Sequence, residues 1–416
     1  MSIIKPFKAV RPQPDLAKQV AALPYDVMNS DEARIMAKDK PYSFLHVSKA
    51  EIDLPKETDE HSQEVYDKAR ENFYRMIEQK VLLQDAEALL YIYAQVMNGR
   101  KQIGLVACSS VEDYFNDVIK KHEHTRPEKE KDRIEHMQTL KAHVGPIFLT
   151  YRAHQKVDTI INNYIASNKA VYDFIEDDNV QHTVWVIQDK ATIEQLVSLF
   201  DKEIPCTYIA DGHHRTASAA KVGKALREKN ATHTGNEEYN FFLSVLFPHN
   251  QLAIMDYNRL VKDLNGLNEV DFLKRVEEKF AVENLGTSIE EAKPKKLHEL
   301  AMYISGYWCR LTVKEDTYKN DPTGVLDISI LQNNLLEPVL GIKDPRTDKR
   351  IDFVGGIRGL QELKRRVDNG EMKVAFALYP VSLQQLMDIS DSNNIMPPKS
   401  TWFEPKLRDG LFCHLF

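Results

Sequence analysis

Apolar and polar positions along this chain fall into two periods. Residues 64–80 carry a helical spacing, with Val65, Ala69, Phe73, Met76 and Ile77 on one face. Residues 89–96 and 103–108 are dense apolar, β-prone runs on either side of Asn98-Gly99. That dipeptide favours a two-residue hairpin turn, because both central positions want positive φ. The same reading predicts a helix over 132–142, a strand over 146–150, a further helix within 153–205, a strand over 183–187 and a helix over 192–200. An apolar run at 206–210 then breaks at Asp211-Gly212. Two histidines and an arginine follow, and an alanine-rich helical stretch runs over 216–227. Residues 241–247 read as a buried strand.

Beyond Asn258 the pattern becomes more helical. It predicts helices over 272–280, 288–301, 329–336, 357–367 and 383–390, and strands over 309–313, 350–354 and 374–379. At the other end, residues 1–50 are rich in proline. There Leu23-Pro24-Tyr25-Asp26-Val27 reads as an extended turn, and Asn29-Ser30-Asp31-Glu32 as a helix start. No internal repeat, long linker or low-complexity tail interrupts this order. The fold class expected is α+β (mixed α/β) with inserted subdomains.

The chain has 416 residues, enough for two or three domains. Apolar content of 43% and charged content of 28% are those of an ordinary globular protein. A net charge of −7 argues against a mainly electrostatic nucleic-acid binder, although a local basic cleft remains open. Cys108, Cys206, Cys309 and Cys413 are far apart, which fits neither a zinc ribbon nor a disulfide scaffold. The first residues, Met-Ser-Ile-Ile-Lys-Pro-Phe, hold no apolar signal core, and no run approaches a membrane span. A cytoplasmic protein with reduced thiols is expected.

The strongest chemistry lies in Asp211-Gly212-His213-His214-Arg215. Gly212 allows a sharp turn or a close approach to a ligand. The helix that follows offers unpaired N–H groups and a positive dipole end to an anion, and Arg215 adds a bidentate fork. A polar turn with a histidine capping the helix, or a zinc site, are the alternatives; the paired histidines lack helix-site spacing for zinc. In His122-Glu123-His124-Thr125-Arg126, Glu123 could act as a base or hold magnesium and Arg126 could hold phosphate, against the plainer reading of a solvated charge run. Lys399-Ser400-Thr401 and Lys406 sit among prolines and aromatics, and suit either a phosphate clamp or a packing loop. Asp26 is a clamp candidate or a plain turn residue. P-loop, Rossmann and nucleophile-elbow fingerprints are absent.

Three boxes together resemble the family known as domain of unknown function 1015. They are Leu23-Pro24-Tyr25-Asp26-Val27, Ala210-Asp211-Gly212-His213-His214-Arg215, and Met396-Pro397-Pro398-Lys399-Ser400-Thr401 with Pro405-Lys406-Leu407. Where that family continues from its arginine with an aromatic, this chain has Thr216-Ala217. The middle of the chain also resembles the ParB/sulfiredoxin superfamily and, within it, the ParB-like free serine kinases. Their D-G-H-x-R box matches Asp211 to Arg215 residue for residue, and the catalytic cysteine of sulfiredoxin has no counterpart in the box.

The resemblance implies a ParB/sulfiredoxin-like nucleotide-binding core at 111–260, with an insertion at about 151–205. It is flanked by an N-terminal α/β region with the hairpin at 1–110 and a C-terminal α/β region at 261–416. It further implies a nucleotide-dependent phosphotransferase, in the first place a free L-serine kinase, using ATP or ADP with Mg²⁺. Asp211, Gly212, His213, His214, Arg215, Thr216 and Arg126 would then bind phosphates, and Glu123 would serve as base, with His213 and His214 assisting. Lys399, Ser400, Thr401, Lys406 and Asp26 would clamp substrate, and Asp211 and Glu123 would reach the metal. A phosphoserine phosphatase-like hydrolase and a non-catalytic nucleotide-binding regulator are the alternatives. The expected partners are a nucleotide and L-serine or phosphoserine, with no membrane and no nucleic acid.

Overall fold

The computed structural model describes Met1–Phe416. Contacts divide the chain into two units. Met1–Lys121, Thr125–Leu252 and Pro405–Phe416 form the first, and His122–His124 with Ala253–Glu404 form the second. No helix is long and apolar enough to cross a membrane.

The first unit is built on a nine-stranded mixed sheet. Its strands are β1 (Ile4–Lys5), β2 (Leu90–Met97), β3 (Arg100–Ser110), β4 (Ile119–Lys120), β5 (Ile147–Tyr151), β6 (Tyr172–Ile175), β7 (Gln181–Ile187), β8 (Thr207–Asp211) and β9 (Phe241–Pro248). They lie in the order β4-β8-β5-β9-β3-β2-β7-β6, with β1 paired to β3. Two neighbours run parallel, β9 beside β5 and β8 beside β4; the other pairs are antiparallel. The hairpin forms as the dipeptide requires. Asn98 and Gly99 take φ of 51° and 76°, and Met97 pairs with Arg100 across them. Strands β2 and β9 are buried on both faces along most of their length, which is why they read as unbroken apolar runs.

Helix α1 (Gln63–Glu78) buries Val65, Ala69, Phe73 and Met76 as its periodicity demands. Helix α2 (Pro127–Leu140) begins five residues before the predicted start, because a proline in the first turn lacks only an N–H that would have had no partner anyway. Asn29 caps Ser30–Ala37 in a reciprocal box with Glu32, as expected of a helix start. The extended turn predicted at 23–27 tightens into a single 3₁₀ turn, Tyr25–Val27.

The second unit holds a six-stranded antiparallel sheet. It comprises β10 (Tyr257–Val261), β11 (Phe280–Gly286), β12 (Glu299–Ile304), β13 (Tyr307–Val313), β14 (Ile351–Gly355) and β15 (Val374–Ala377), in the order β11-β13-β12-β15-β10-β14. Here one expectation fails. Residues 288–301 are not one helix: only Ile289–Ala292 is helical, and Glu299–Ile304 is a strand. Pro294 cannot continue a helix, and the run after it is covered on both sides of the sheet. Leu300, Met302 and Ile304 enter one apolar cluster while Ala301 and Tyr303 enter another. A strand buried on both faces shows no alternation by which to recognise it. The helix predicted at 329–336 is α-helical over Asp327–Leu331 and continues as a π-helical turn over Gln332–Leu336.

Candidate functional site

The box sits where β8 ends. Strand β8 pairs antiparallel with β5, but the register slips between Ile209 and Asp211, so that Asp211 lies opposite Phe148. This bulge bends the strand end and re-aims the Asp211 side chain. Gly212 then takes φ 96°, ψ 33°, a left-handed conformation that β-carbon-bearing residues avoid. Helix α3 (His213–Lys229) starts immediately after it. The helix therefore begins three residues earlier than the alanine pattern indicated, and His213, His214 and Arg215 form its first turn. Thr216 closes that turn twice, through its amide to Gly212 O at 2.8 Å and its hydroxyl to the same oxygen at 2.9 Å. The small residues Ala217, Ser218, Ala219, Ala220 and Gly223 are all buried, which lets α3 pack closely on its surroundings. Ser218 Oγ donates to Glu130 O of α2 at 3.1 Å.

Each member of the box has its own environment. Asp211 accepts from Lys406 Nζ at 2.8 Å, a side chain only 9% exposed. Burial would keep the Asp211 carboxyl neutral, but Lys406, Arg215 and His213 overcome it and hold the group well below the usual carboxylate range. His213 is buried, and burial brings its pKa down to about 4 against the pull of Asp211, so its ring is neutral at pH 7. His214 points the other way: its Nε2 accepts from the Arg126 amide at 3.1 Å, which requires that its ring proton sit on Nδ1. Arg126 itself is the exposed residue that precedes Pro127 at the head of α2.

Arg215 is 6% exposed. Its guanidinium lies against Gly212: a β-carbon there would stand 3.2 Å from Nε and 3.4 Å from Cζ. Nη1 donates to Pro146 O at 2.8 Å, Nη2 is 4.0 Å from Asp26 Oδ2, and buried Nε has no hydrogen-bond partner. Burial opposes its charge, yet Asp26, Asp211 and Asp409 more than restore it and keep the group firmly protonated. Asp26 lies on the Tyr25–Val27 turn, where the Tyr25 ring carries the Arg133 guanidinium 4.0 Å above it. The first unit thus gathers Asp26, Arg126, Asp211, Gly212, His213, His214, Arg215, Thr216 and Lys406.

Two participants were not apparent in the sequence. Asp409 is 2% exposed, and it brings a third acid to Arg215. Gly145 leaves room for both: a β-carbon there would meet Asp409 Oδ1 at 3.0 Å and Arg215 Nη1 at 3.5 Å. A signal did exist, because Asp409-Gly410 repeats the Asp-Gly pair of the box three residues after Lys406.

The remaining candidates belong to the second unit. His122 O accepts from the Met396 amide at 2.8 Å, tying the segment that carries Glu123 to the start of the Met396–Thr401 loop. Glu123 is half-buried. Lys399 takes a left-handed φ of 59°, with Nζ 5.5 Å from the centre of the Tyr257 ring. Ser400 is buried and donates to Pro397 O at 2.5 Å; Thr401 is half-buried. Arg259, 2% exposed, holds the loop from beneath through Pro398 O at 3.1 Å and Lys399 O at 2.8 Å, and also binds Tyr257 O.

The family described as "Protein of unknown function (DUF1015)" matches residues 4–329, and the chain belongs to that family. No curated protein matches the sequence. Among solved structures the chain is similar to a conserved hypothetical protein from Pyrococcus furiosus, at 15% identity and a TM-score of 0.35, covering 72% of this chain and 93% of that one. It is also similar to a free serine kinase in complex with AMP, at 12% identity and a TM-score of 0.35, covering 71% and 89%. SbnI with a C-terminal truncation from Staphylococcus aureus is similar at 10% identity and a TM-score of 0.40, covering 74% and 87%. Likenesses this loose transfer neither fold nor function.

Proposed function

We propose that the protein is a nucleotide-dependent phosphotransferase acting on a small hydroxyl metabolite, with free L-serine as the acceptor. The observation that carries this reading is Arg215, a buried guanidinium in the first turn of a 17-residue helix, laid against a left-handed glycine and keeping Nε without a partner. Helix amides and a guanidinium together suit an anion with several acceptor oxygens. The D-G-H-x-R order of the box, which resembles that of the ParB-like free serine kinases, supports reading this anion as the phosphates of ATP or ADP.

Phosphoryl transfer needs mainly positioning and charge neutralisation. In this reading the amides at the head of α3, with His214, Arg215 and Arg126, hold the donor phosphates. His213 stays neutral and packs the turn, and Lys406 keeps Asp211 ionised. Glu123 takes the proton of the acceptor hydroxyl, a role worth about 10²–10⁴ in rate. Lys399, Ser400 and Thr401 seat the amino acid. No cluster of three or more His, Cys, Asp or Glu side chains offers a protein cage for a metal. The donor set therefore suits Mg²⁺ carried on the nucleotide, which takes only one or two carboxylates, with Asp211 the residue to reach it. When bound, that ion neutralises phosphate oxygens.

The test is phosphorus NMR of the purified protein with ATP or ADP, Mg²⁺ and a panel of hydroxyl amino acids. Phosphoserine formed by wild type and not by Glu123→Gln is the expected result. Nucleotide binding without turnover on any acceptor contradicts it and indicates a nucleotide-binding regulator instead.

A further inference from the structure

Several acids around the box have a basic partner. Asp211 is matched by Lys406, Asp132 by Arg133, and Asp178 by Arg408. Arg215 faces two further acids, Asp26 and Asp409. The two differ in setting. The Asp26 side chain is 39% exposed and 4.0 Å from Nη2, so water can solvate its charge. Asp409 is buried, and its Oδ1 has no hydrogen-bond partner. Its backbone is held in place. Its amide donates to Ala22 O at 2.9 Å and its carbonyl accepts from the Ala22 amide at 3.1 Å, an isolated bridge that ties its backbone to the segment leading into the Asp26 turn. When like charges share one cation, the buried member takes the proton.

We propose that Asp409 is a further residue of the anion site, a carboxyl that gains its proton when an anion occupies Arg215, so that binding is coupled to proton uptake. The proposal rests on the phosphate reading of the box. The charged and titratable groups facing Asp409 are Arg215 from α3, Asp26 from the 3₁₀ turn, Arg133 from α2, Arg408 beside it and the buried thiol of Cys413. Burial first, then Asp26, raises the Asp409 carboxyl to about 7 against the three arginines, so its charge is undecided at neutral pH. A dianion on Arg215 removes the positive charge that favours ionisation, and Asp409 then keeps or takes the proton. As a positioning residue it acts through Arg215 and need not touch the anion.

Sulfate is the probe, since it remains a dianion throughout the range. Calorimetric titration in buffers of different ionisation enthalpy should show net proton uptake by wild type, and affinity should fall about tenfold from about pH 6 to about pH 8.5. Asp409→Asn, permanently neutral, should bind without proton uptake and with a flat pH profile. Asp26→Asn should shift the wild-type profile to lower pH, because it removes the competing acid. An Asp409→Asn profile as steep as that of wild type, or an unmoved midpoint in Asp26→Asn, overturns the role of Asp409 and leaves the phosphate reading intact. Absence of both sulfate and AMP binding at every pH overturns both.

Discussion

Each unit buries an arginine beside a functional candidate, and the two are held in opposite ways. Arg215 is ringed by carboxylates, and burial fails to weaken its charge. Arg259 has only main-chain carbonyls for partners, with the Phe353 ring at 5.4 Å, and burial brings it down to about 9 despite the help of Tyr257. A guanidinium that keeps an unspent Nε is the one the proposed function assigns to an incoming anion. A guanidinium whose donors are spent on Tyr257, Pro398 and Lys399 is arranged to fix a loop. The same residue type thus supplies electrostatics in one unit and scaffolding in the other.

The comparison can be broken most decisively at Arg215. Arg215→Ala should lose at least about 100-fold in sulfate or AMP affinity and about 3 kcal/mol of stability, because it strands buried acids. Arg215→Lys should not rescue binding, since an ammonium lacks the planar fork. Titration calorimetry and urea unfolding read the two effects. Arg259→Leu should cost about 2–3 kcal/mol in unfolding experiments by leaving three carbonyls without their donor. If Arg259→Leu proves harmless, its scaffolding role is wrong.

A pH series sharpens the electrostatic side. The folded pKa of His213 lies below its ordinary value, so its contribution is complete above about pH 6.5 and is lost as pH falls towards about 4. Thermal unfolding of wild type should weaken over that window, and His213→Asn should lose that part of the slope. At the start of the Ser30–Ala37 helix, Asn29→Ala should cost about 1 kcal/mol of stability and leave binding untouched. A binding defect in that variant would mean that the assay reports global stability.

What was legible in the sequence had short-range causes. The hairpin at Asn98-Gly99, the apolar face of α1 and the strand–glycine–helix order of the box each follow from neighbouring residues. Strand β12 was misread because covering both of its faces erases the period that marks a strand. Within the box, the residue types were plain but their division of labour was not. His213 turns inward and His214 outward because the helix starts at His213 rather than at Thr216. Lys406 and Asp409 lie some two hundred residues from Asp211 and Arg215, and only the return of the C-terminal segment to the first unit brings them there. Apart from the Asp409-Gly410 pair, nothing local announces a charge balance of that kind.

Gly212 offers the most direct test of the central claim, that the turn between β8 and α3 holds the phosphates of a nucleotide. Gly212→Ala adds one carbon 3.2 Å from Arg215 Nε, at a backbone angle that alanine resists. Calorimetric titration of ADP into folded Gly212→Ala should show affinity at least about tenfold weaker than in wild type, while Gly99→Ala, a positive-φ glycine with open space around it, binds normally. Equal ADP affinity in Gly212→Ala and wild type would contradict the claim.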